Sequence, residues 1–308
     1  MKIKKISVFI LVSLMLLSIL PFSALAESES ESDIFSLSVV FKDGSKIIEN
    51  AGFNVYLIAT PDENGGYTPT DSFADHPVDY DVTTDEELYI LAATLEGYVF
   101  FSKEEPIYSG RTDENGVFSF TTEEKGMYLV IGEQTLVGDI FYTAESFIIC
   151  LPSADEDGNA ISDVSVNAKF NATHINASPI TRKAVKIWND DKDIGVRPVT
   201  ISVYLLKNGE IYDSVVLGKD NNWSHTWRNL DPTARWNLVE LPIENYLVHM
   251  TREGTAYFIK NTFRDPTPST PDLPQTGQRW WPIPIFSVLG VALIAVGIIF
   301  TKKKSSEK

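Results

Sequence analysis

From Phe35 onward the apolar residues of this chain recur at every second position, and this period constrains the fold more than any other feature. Phe35, Leu37, Val39 and Phe41 share one face of an extended segment, and Phe53, Val55, Leu57 and Ala59 share another. Side chains alternate across a strand, so such runs bury one face and wet the other. Further strand-like runs fall at 116–120, 127–133, 141–151 and 164–170, separated by turn formers such as Asp113-Glu114-Asn115-Gly116. The pattern lapses over 171–180. A second set then follows at 184–188, 199–206, 211–217, 223–227, 235–240 and 256–263, at the spacing of a small sandwich. The expectation is an all-β chain with two β-sandwich domains in tandem, over residues 33–172 and 181–264.

One segment departs from the period. Thr84 and Glu87 form a capping-box pattern, and Leu88, Leu91, Ala92 and Leu95 then recur at helical spacing. This predicts a helix that lays one apolar stripe on a sheet and stops at Gly97. Residues 60–83 before it are polar and turn-rich, so the first sandwich carries a helical insertion whose loop is a natural binding surface. Cys150 is the only cysteine, which rules out an intramolecular disulfide. Any covalent brace must come from other chemistry. Cys150 lies in the apolar run Phe147-Ile148-Ile149-Cys150-Leu151 and reads as a buried strand thiol.

Both ends of the chain are set apart from this pattern. Lys2, Lys4 and Lys5 precede an apolar stretch over 6–20, and Ala24-Leu25-Ala26 supplies a small-residue cleavage site. Residues 1–26 thus read as a signal peptide cut between Ala26 and Glu27; the alternative is an uncleaved N-terminal membrane helix. Toward the other end, Trp280 and Trp281 lead into an uncharged run over 286–300, followed by Lys302-Lys303-Lys304. About 20 apolar residues cross a bilayer, so the run spans only with its Trp-rich flank, and the lysines stay inside. Just outside it stand Leu273, Pro274, Gln275, Thr276 and Gly277, after the Pro/Thr linker 265–272, which reaches about 25 Å at roughly 3.1 Å per residue.

Charge narrows the function further. The whole chain has 26 basic and 42 acidic residues, and the portion from 27 to 276 keeps 18 and 41, a net charge of −23. So acidic a chain repels nucleic acid. No two acids sit in a recognisable acid/base context, and His76, His174, His225 and His249 lack metal or triad spacing, which argues against an anchored enzyme and assigns no cofactor and no metal. The aspartate runs at 155–158 and 190–193 read as acidic turn loops rather than calcium sites.

The five residues from Leu273 to Gly277, the apolar run and the basic tail together resemble an LPxTG cell-wall sorting signal of Gram-positive bacteria over 273–308. The resemblance implies that a sortase cuts after Thr276 and passes its carbonyl to an amine of the lipid-linked peptidoglycan precursor or of another pilin. It places the mature protein on the cell wall after a transient stay in the membrane. An ordinary membrane anchor is the alternative that the apolar run alone would allow.

Residues 183–263 resemble a Cna B-type domain, the immunoglobulin-like module of Gram-positive adhesins and pilins. The resemblance rests on Lys186-Ile187-Trp188-Asn189-Asp190, on Arg197-Pro198 before the 199–206 run, on Asn222-Trp223, on Trp236-Asn237-Leu238-Val239-Glu240 and on Ile259-Lys260-Asn261-Thr262. It implies an autocatalytic isopeptide bond between Lys186 and Asn261, with Glu240 as the buried acid. Lys183 is the competing amine, but it faces opposite to Lys186.

Residues 35–170 more loosely resemble the N-terminal domain of sortase-assembled pilins, through the stretches beginning at Ala51, Thr112 and Gly126. Backbone pilins join a motif lysine to the next subunit. Val164, Val166 and Lys169 match that motif, while Ala160 and Asn167-Ala168 depart from it, so Lys169 is either a linkage lysine or a plain surface residue. Lys42, Glu145 and Asn171 are positioned for a second bond, but no motif selects them. The combined expectation is a non-enzymatic surface protein and sortase substrate, a pilin subunit with other pilins as partners. The alternative is a lone wall-anchored adhesin for a host matrix protein or glycan.

Overall fold

The computed structural model describes residues 34–155, 157–190 and 197–264. Ala26, Glu27, the 265–272 linker and the sorting segment with Leu273, Pro274, Gln275, Thr276 and Gly277 lie outside the described residues.

The alternation that begins at Phe35 becomes β1 (Phe35–Val40), flanked by two later strands. The longer strands that follow are β2 (Gly52–Pro61), β3 (Tyr67–Pro69), β4 (Tyr108–Arg111), β5 (Val117–Thr122), β6 (Gly126–Gly132), β7 (Gln134–Val137), β8 (Ile140–Ala144), β9 (Phe147–Leu151), β10 (Asp163–Asn167) and β11 (Phe170–His174). β1 pairs antiparallel with β5 and parallel with β10, so Leu37 stands opposite both Phe120 and Val164. A second sheet runs β9-β6-β2-β3, with β4 also on β2, and a third runs β11-β8-β7. Phe35, Leu37, Val39, Phe53, Phe118 and Tyr128 fill the space between the sheets. β11 runs on to His174, into the stretch where the sequence pattern lapses. Cys150 is half-buried rather than buried, because β9 ends its sheet.

β6 is buried along all seven residues, which is why its sequence is a continuous apolar run. Tyr128 and Val130 face the first core. Met127, Leu129 and Ile131 face a second core, formed with Phe73, Val78 and Tyr80 and with Leu91 and Leu95 of a helix. Residues 60–83 are therefore only partly the exposed loop that their polarity suggests. Their aromatic and apolar minority packs down while the polar majority stays in water.

The second set of strands is β12 (Ile180–Asn189), β13 (Thr200–Lys207), β14 (Glu210–Gly218), β15 (Ser224–Leu230), β16 (Trp236–Glu240), β17 (Tyr246–Glu253) and β18 (Ala256–Phe263). They form sheets β15-β12-β18-β17 and β14-β13-β16, facing each other over Ala184, Val203, Leu205, Leu238, Val248 and Ile259. β12 and β18 run parallel, with Trp188 opposite Asn261. β17 lies outside the strands expected from the sequence. Tyr246, Val248 and Met250 do alternate inward, but Leu247 on the outer face blurs the pattern.

The helix α1 (Asp85–Ser102) joins the two sets of strands. Its capping box forms as expected: the Glu87 amide donates to Thr84 Oγ1 at 3.2 Å and the Thr84 amide donates to Glu87 Oε2 at 3.0 Å. The expected stop at Gly97 does not occur. The helix continues to Ser102, and Lys103 takes the left-handed cap with φ 58°. Gly97 serves close packing instead, because a Cβ there would sit 2.8 Å from the Leu238 carbonyl oxygen and 3.1 Å from Val239 Cγ2.

α1 is apolar on more than one face because it is buried on more than one face. Leu91, Leu95 and Val99 join the second core. Tyr98 packs instead with Leu206 and Val239 of the later strands. β17 is the last strand of its sheet, and its outward amides are not left open: Val248 donates to the Pro77 carbonyl at 2.6 Å and Met250 donates to Thr94 Oγ1 at 2.9 Å. Covering an edge in this way blocks strand addition. At the same seam Glu96 accepts from Arg235 Nε at 2.7 Å, Asn237 Nδ2 at 2.8 Å and Ser146 Oγ at 2.7 Å. Burial pushes the Glu96 carboxyl up, but Arg235 and the other donors more than offset it and leave its pKa lowered.

Candidate functional site

Three polar side chains lie in the apolar interior beneath the β15-β12-β18-β17 sheet. On β12 the inward positions are Ala184 and Lys186, and the period that buries Ala184 carries the lysine in with it. Lys183 and Ile187, on the other face, are exposed. On β18 Tyr257, Ile259 and Asn261 point inward. Parallel pairing of the two strands puts Lys186 opposite Ile259 and Trp188 opposite Asn261, so lysine and asparagine are diagonal neighbours on one face. Glu240 ends β16 on the facing sheet and completes the group from across the core.

The geometry is tight. Lys186 Nζ lies 3.1 Å from Glu240 Oε2, and both side chains are 0% exposed. Asn261 Nδ2 donates to Glu240 Oε1 at 2.7 Å, and Asn261 is likewise fully buried. Asn261 Oδ1 is buried without a hydrogen-bond partner, as is Trp188 Nε1. Lys186 Nζ stands 4.3 Å from the centre of the Trp188 ring. That ring is packed edge-on by Trp223 at 5.3 Å and Tyr246 at 5.2 Å, and Arg197 lies 5.1 Å from its centre. Asp190 anchors this outer layer, accepting from Tyr246 Oη at 2.8 Å and from the Arg197 guanidinium.

Water is excluded, and the ionised forms suffer for it. Burial lowers the Lys186 pKa to about 8, with Glu240 pulling the other way. Burial also raises the Glu240 carboxyl above its usual range, against the opposing pull of Lys186. Both groups move toward their neutral forms. A neutral amine is a nucleophile, and a protonated carboxyl is a hydrogen-bond donor and general acid.

One contact at this site has no signature in the sequence. Tyr98 of α1 donates to the Glu240 backbone carbonyl at 2.8 Å, so the helix from the first set of strands props the end of β16. Nothing in the spacing around Tyr98 distinguishes it from other apolar helix positions. The Asp190, Arg197 and Tyr246 cluster is partly foreshadowed by Asp190 and Arg197 in the segments that carry the Cna B-type resemblance.

The other residues named from the sequence are not gathered into such a site. Lys169 is exposed between β10 and β11, and its carbonyl accepts from the Glu145 amide at 2.8 Å. Asn171 Nδ2 donates to Glu145 Oε1 at 3.2 Å at the surface, and Lys42 is exposed on a short hairpin. None of these residues has the full burial of Lys186, Glu240 and Asn261. Among the described residues no group of three or more histidine, cysteine, aspartate or glutamate side chains is arranged to hold a metal ion.

Residues 182–262 match the Cna protein B-type domain family. A collagen adhesin of Staphylococcus aureus is 29% identical over 150 residues, covering 42% of this chain and 12% of that protein, so the chain spans a small part of its relative's length. Among solved structures, a single B repeat unit of the collagen-binding surface protein of Staphylococcus aureus aligns at 16% identity and TM-score 0.27, over 75% of this chain and 98% of that one. The shaft pilin SpaA of Lactobacillus rhamnosus GG aligns at 12% identity and TM-score 0.26, over 75% and 97%. The chain thus carries a Cna B-type domain in a mostly β architecture.

Proposed function

We propose that this protein is a non-enzymatic structural component of the Gram-positive cell surface, a pilin subunit braced by an intramolecular bond between Lys186 and Asn261. The observation that carries the reading is the dry cluster of Lys186, Glu240 and Asn261. Neutral Lys186 Nζ attacks Asn261 Cγ. A half-turn of the amide brings Oδ1 to the protonated Glu240, which donates to it as the carbonyl bond opens. Glu240 then takes the proton that Nζ sheds, passes it to the departing amino group, and recovers the proton from Oδ1 as the carbonyl re-forms. One C–N bond forms, one breaks, ammonia leaves and Glu240 ends as it began.

The whole-protein reading joins this domain to the sorting signal at 273–277. A sortase cleaves after Thr276 and transfers its carbonyl to the wall precursor or to another pilin, and signal cleavage after Ala26 frees the other end. Lys169, exposed beside Glu145, is then the amine that receives the next subunit. The Cna B-type match over 182–262 and the collagen adhesin relative support a surface role.

Intact-mass measurement of the purified chain tests the bond. The expected mass is one ammonia below that of the sequence, and Lys186→Ala, Asn261→Ala and Glu240→Ala each restore it; an unshifted wild-type mass refutes the chemistry. Assembly is tested by immunoblot of wall extracts. A boiling-resistant ladder that Lys169→Ala abolishes supports the pilin reading, and a single band points to a lone anchored adhesin.

A further inference from the structure

The N-terminal half of α1 and the 79–82 segment do not lie flat on the outer face of the β12-β18-β17 sheet. Between them is a cleft of about 590 Å³. Its floor is apolar: Ile187 and Phe258 come from the sheet, and Ile90 and Leu91 from the helix. Ile187 keeps 40% of its surface exposed there, so the apolar surface is left open to an occupant. The volume and the apolar lining with a few charged groups are those of a ligand site, large enough for a few side chains.

The rim sets the sign of what can enter. Asp79, Asp81 and Glu87 stand on one wall and Glu253 on the other, against the single ammonium of Lys260. His249 adds no positive charge at neutral pH, because burial and Lys260 both lower its pKa. Four carboxylates against one cation repel phosphates and acidic glycans, and the apolar floor gains nothing from a purely polar cation. Each wall comes from a different set of strands, so the site exists only while α1 stays docked on β17.

We propose that this cleft binds a short basic and apolar peptide segment of a partner protein, with lysine or arginine side chains at the carboxylate rim and the neighbouring apolar side chains on the Ile187 and Phe258 floor. The site uses neither Lys186 nor Asn261, whose side chains lie on the other face of the sheet, so it holds whether or not the chain is a pilin.

The test is fluorescence anisotropy of the full chain with a dye-labelled peptide of sequence Lys-Leu-Lys-Phe-Lys. Lys-Gly-Lys-Gly-Lys and Glu-Leu-Glu-Phe-Glu serve as competitors. The expected result is saturable binding that neither competitor displaces. Glu253→Lys and Ile187→Ser each weaken it at least tenfold, while Glu114→Lys, an equal charge change in a distant turn, leaves it within twofold. Absence of binding overturns the proposal. So does equal loss in Glu114→Lys, or displacement by Lys-Gly-Lys-Gly-Lys, since either reduces the effect to attraction by the overall negative charge.

Discussion

Replacing Gly97 with alanine asks whether α1 is a seam between two sets of strands or a helix resting on one of them. At an exposed interior helix position this change stabilises by about 1 kcal/mol, because alanine has less backbone freedom to lose. Here the new methyl group would lie 2.8 Å from the Leu238 carbonyl oxygen and 3.1 Å from Val239 Cγ2. The nearer atom is strand backbone and cannot swing aside, so helix and β16 must part by several tenths of an ångström. Overpacking of this kind costs about 1–3 kcal/mol. The helix gain offsets part of that, leaving Gly97→Ala about 1 kcal/mol less stable than the parent. Gly97→Leu, which cannot be absorbed by a small shift, loses more and disrupts the bonds from Tyr98 to the Glu240 carbonyl and from Met250 to Thr94. Urea unfolding followed by tryptophan fluorescence reads the effect, since Trp188, Trp223, Trp227 and Trp236 all report on the later strands. The sign decides: an alanine variant about 1 kcal/mol more stable than the parent would refute the seam.

The same seam predicts that Arg235→Met, which strands Glu96 with its charge buried, costs about 3–5 kcal/mol in urea unfolding, and that adding Glu96→Leu recovers most of the loss. Thr84→Ala removes the capping hydroxyl and should cost about 1 kcal/mol by the same assay. In Asn261→Ala, where no bond can close, Lys186 stays titratable. Its folded pKa of about 8 lies below its ordinary value of 10.5, so between those values the unfolded chain binds more protons and stability rises with pH. Comparing unfolding at pH 7 and pH 10 checks this, and the further change Lys186→Met should remove the rise.

The sequence spoke most clearly where one physical rule acts alone. Strand alternation placed β1 and most of the later sandwich, and the reciprocal hydrogen bonds of Thr84 and Glu87 marked where α1 begins; on β2 it held for Phe53, Val55 and Leu57, but a bulge after Leu57 turns Ala59 to the second core beside Ile58. It misled where two contacts compete for one residue. Gly97 carries the usual mark of a helix end, yet its missing side chain is spent on the approach of β16, information that resides at Leu238, far along the chain. Residues 60–83 read as loop because polar residues outnumber Phe73, Val78 and Tyr80, though those three decide where the segment lies. Lys186 and Ala184 share an inward face by period alone, but spacing could not bring Glu240 across the core to meet the lysine. That juxtaposition was legible only through the likeness of the flanking segments to a known domain, and Tyr98 beneath it left no trace of either kind.

The covered edge of β17 also bears on the order in which the chain matures. α1 leaves the ribosome well before the residues it will shield, so its Thr94 and Tyr98 face waits, unfilled, until residue 253 has been made. The first half is thus a template as well as a module, offering the later strands a landing surface that orients them as they arrive. A shortened protein beginning at residue 180 would have to find its register without that guide, with a bare strand on offer to every neighbour in solution.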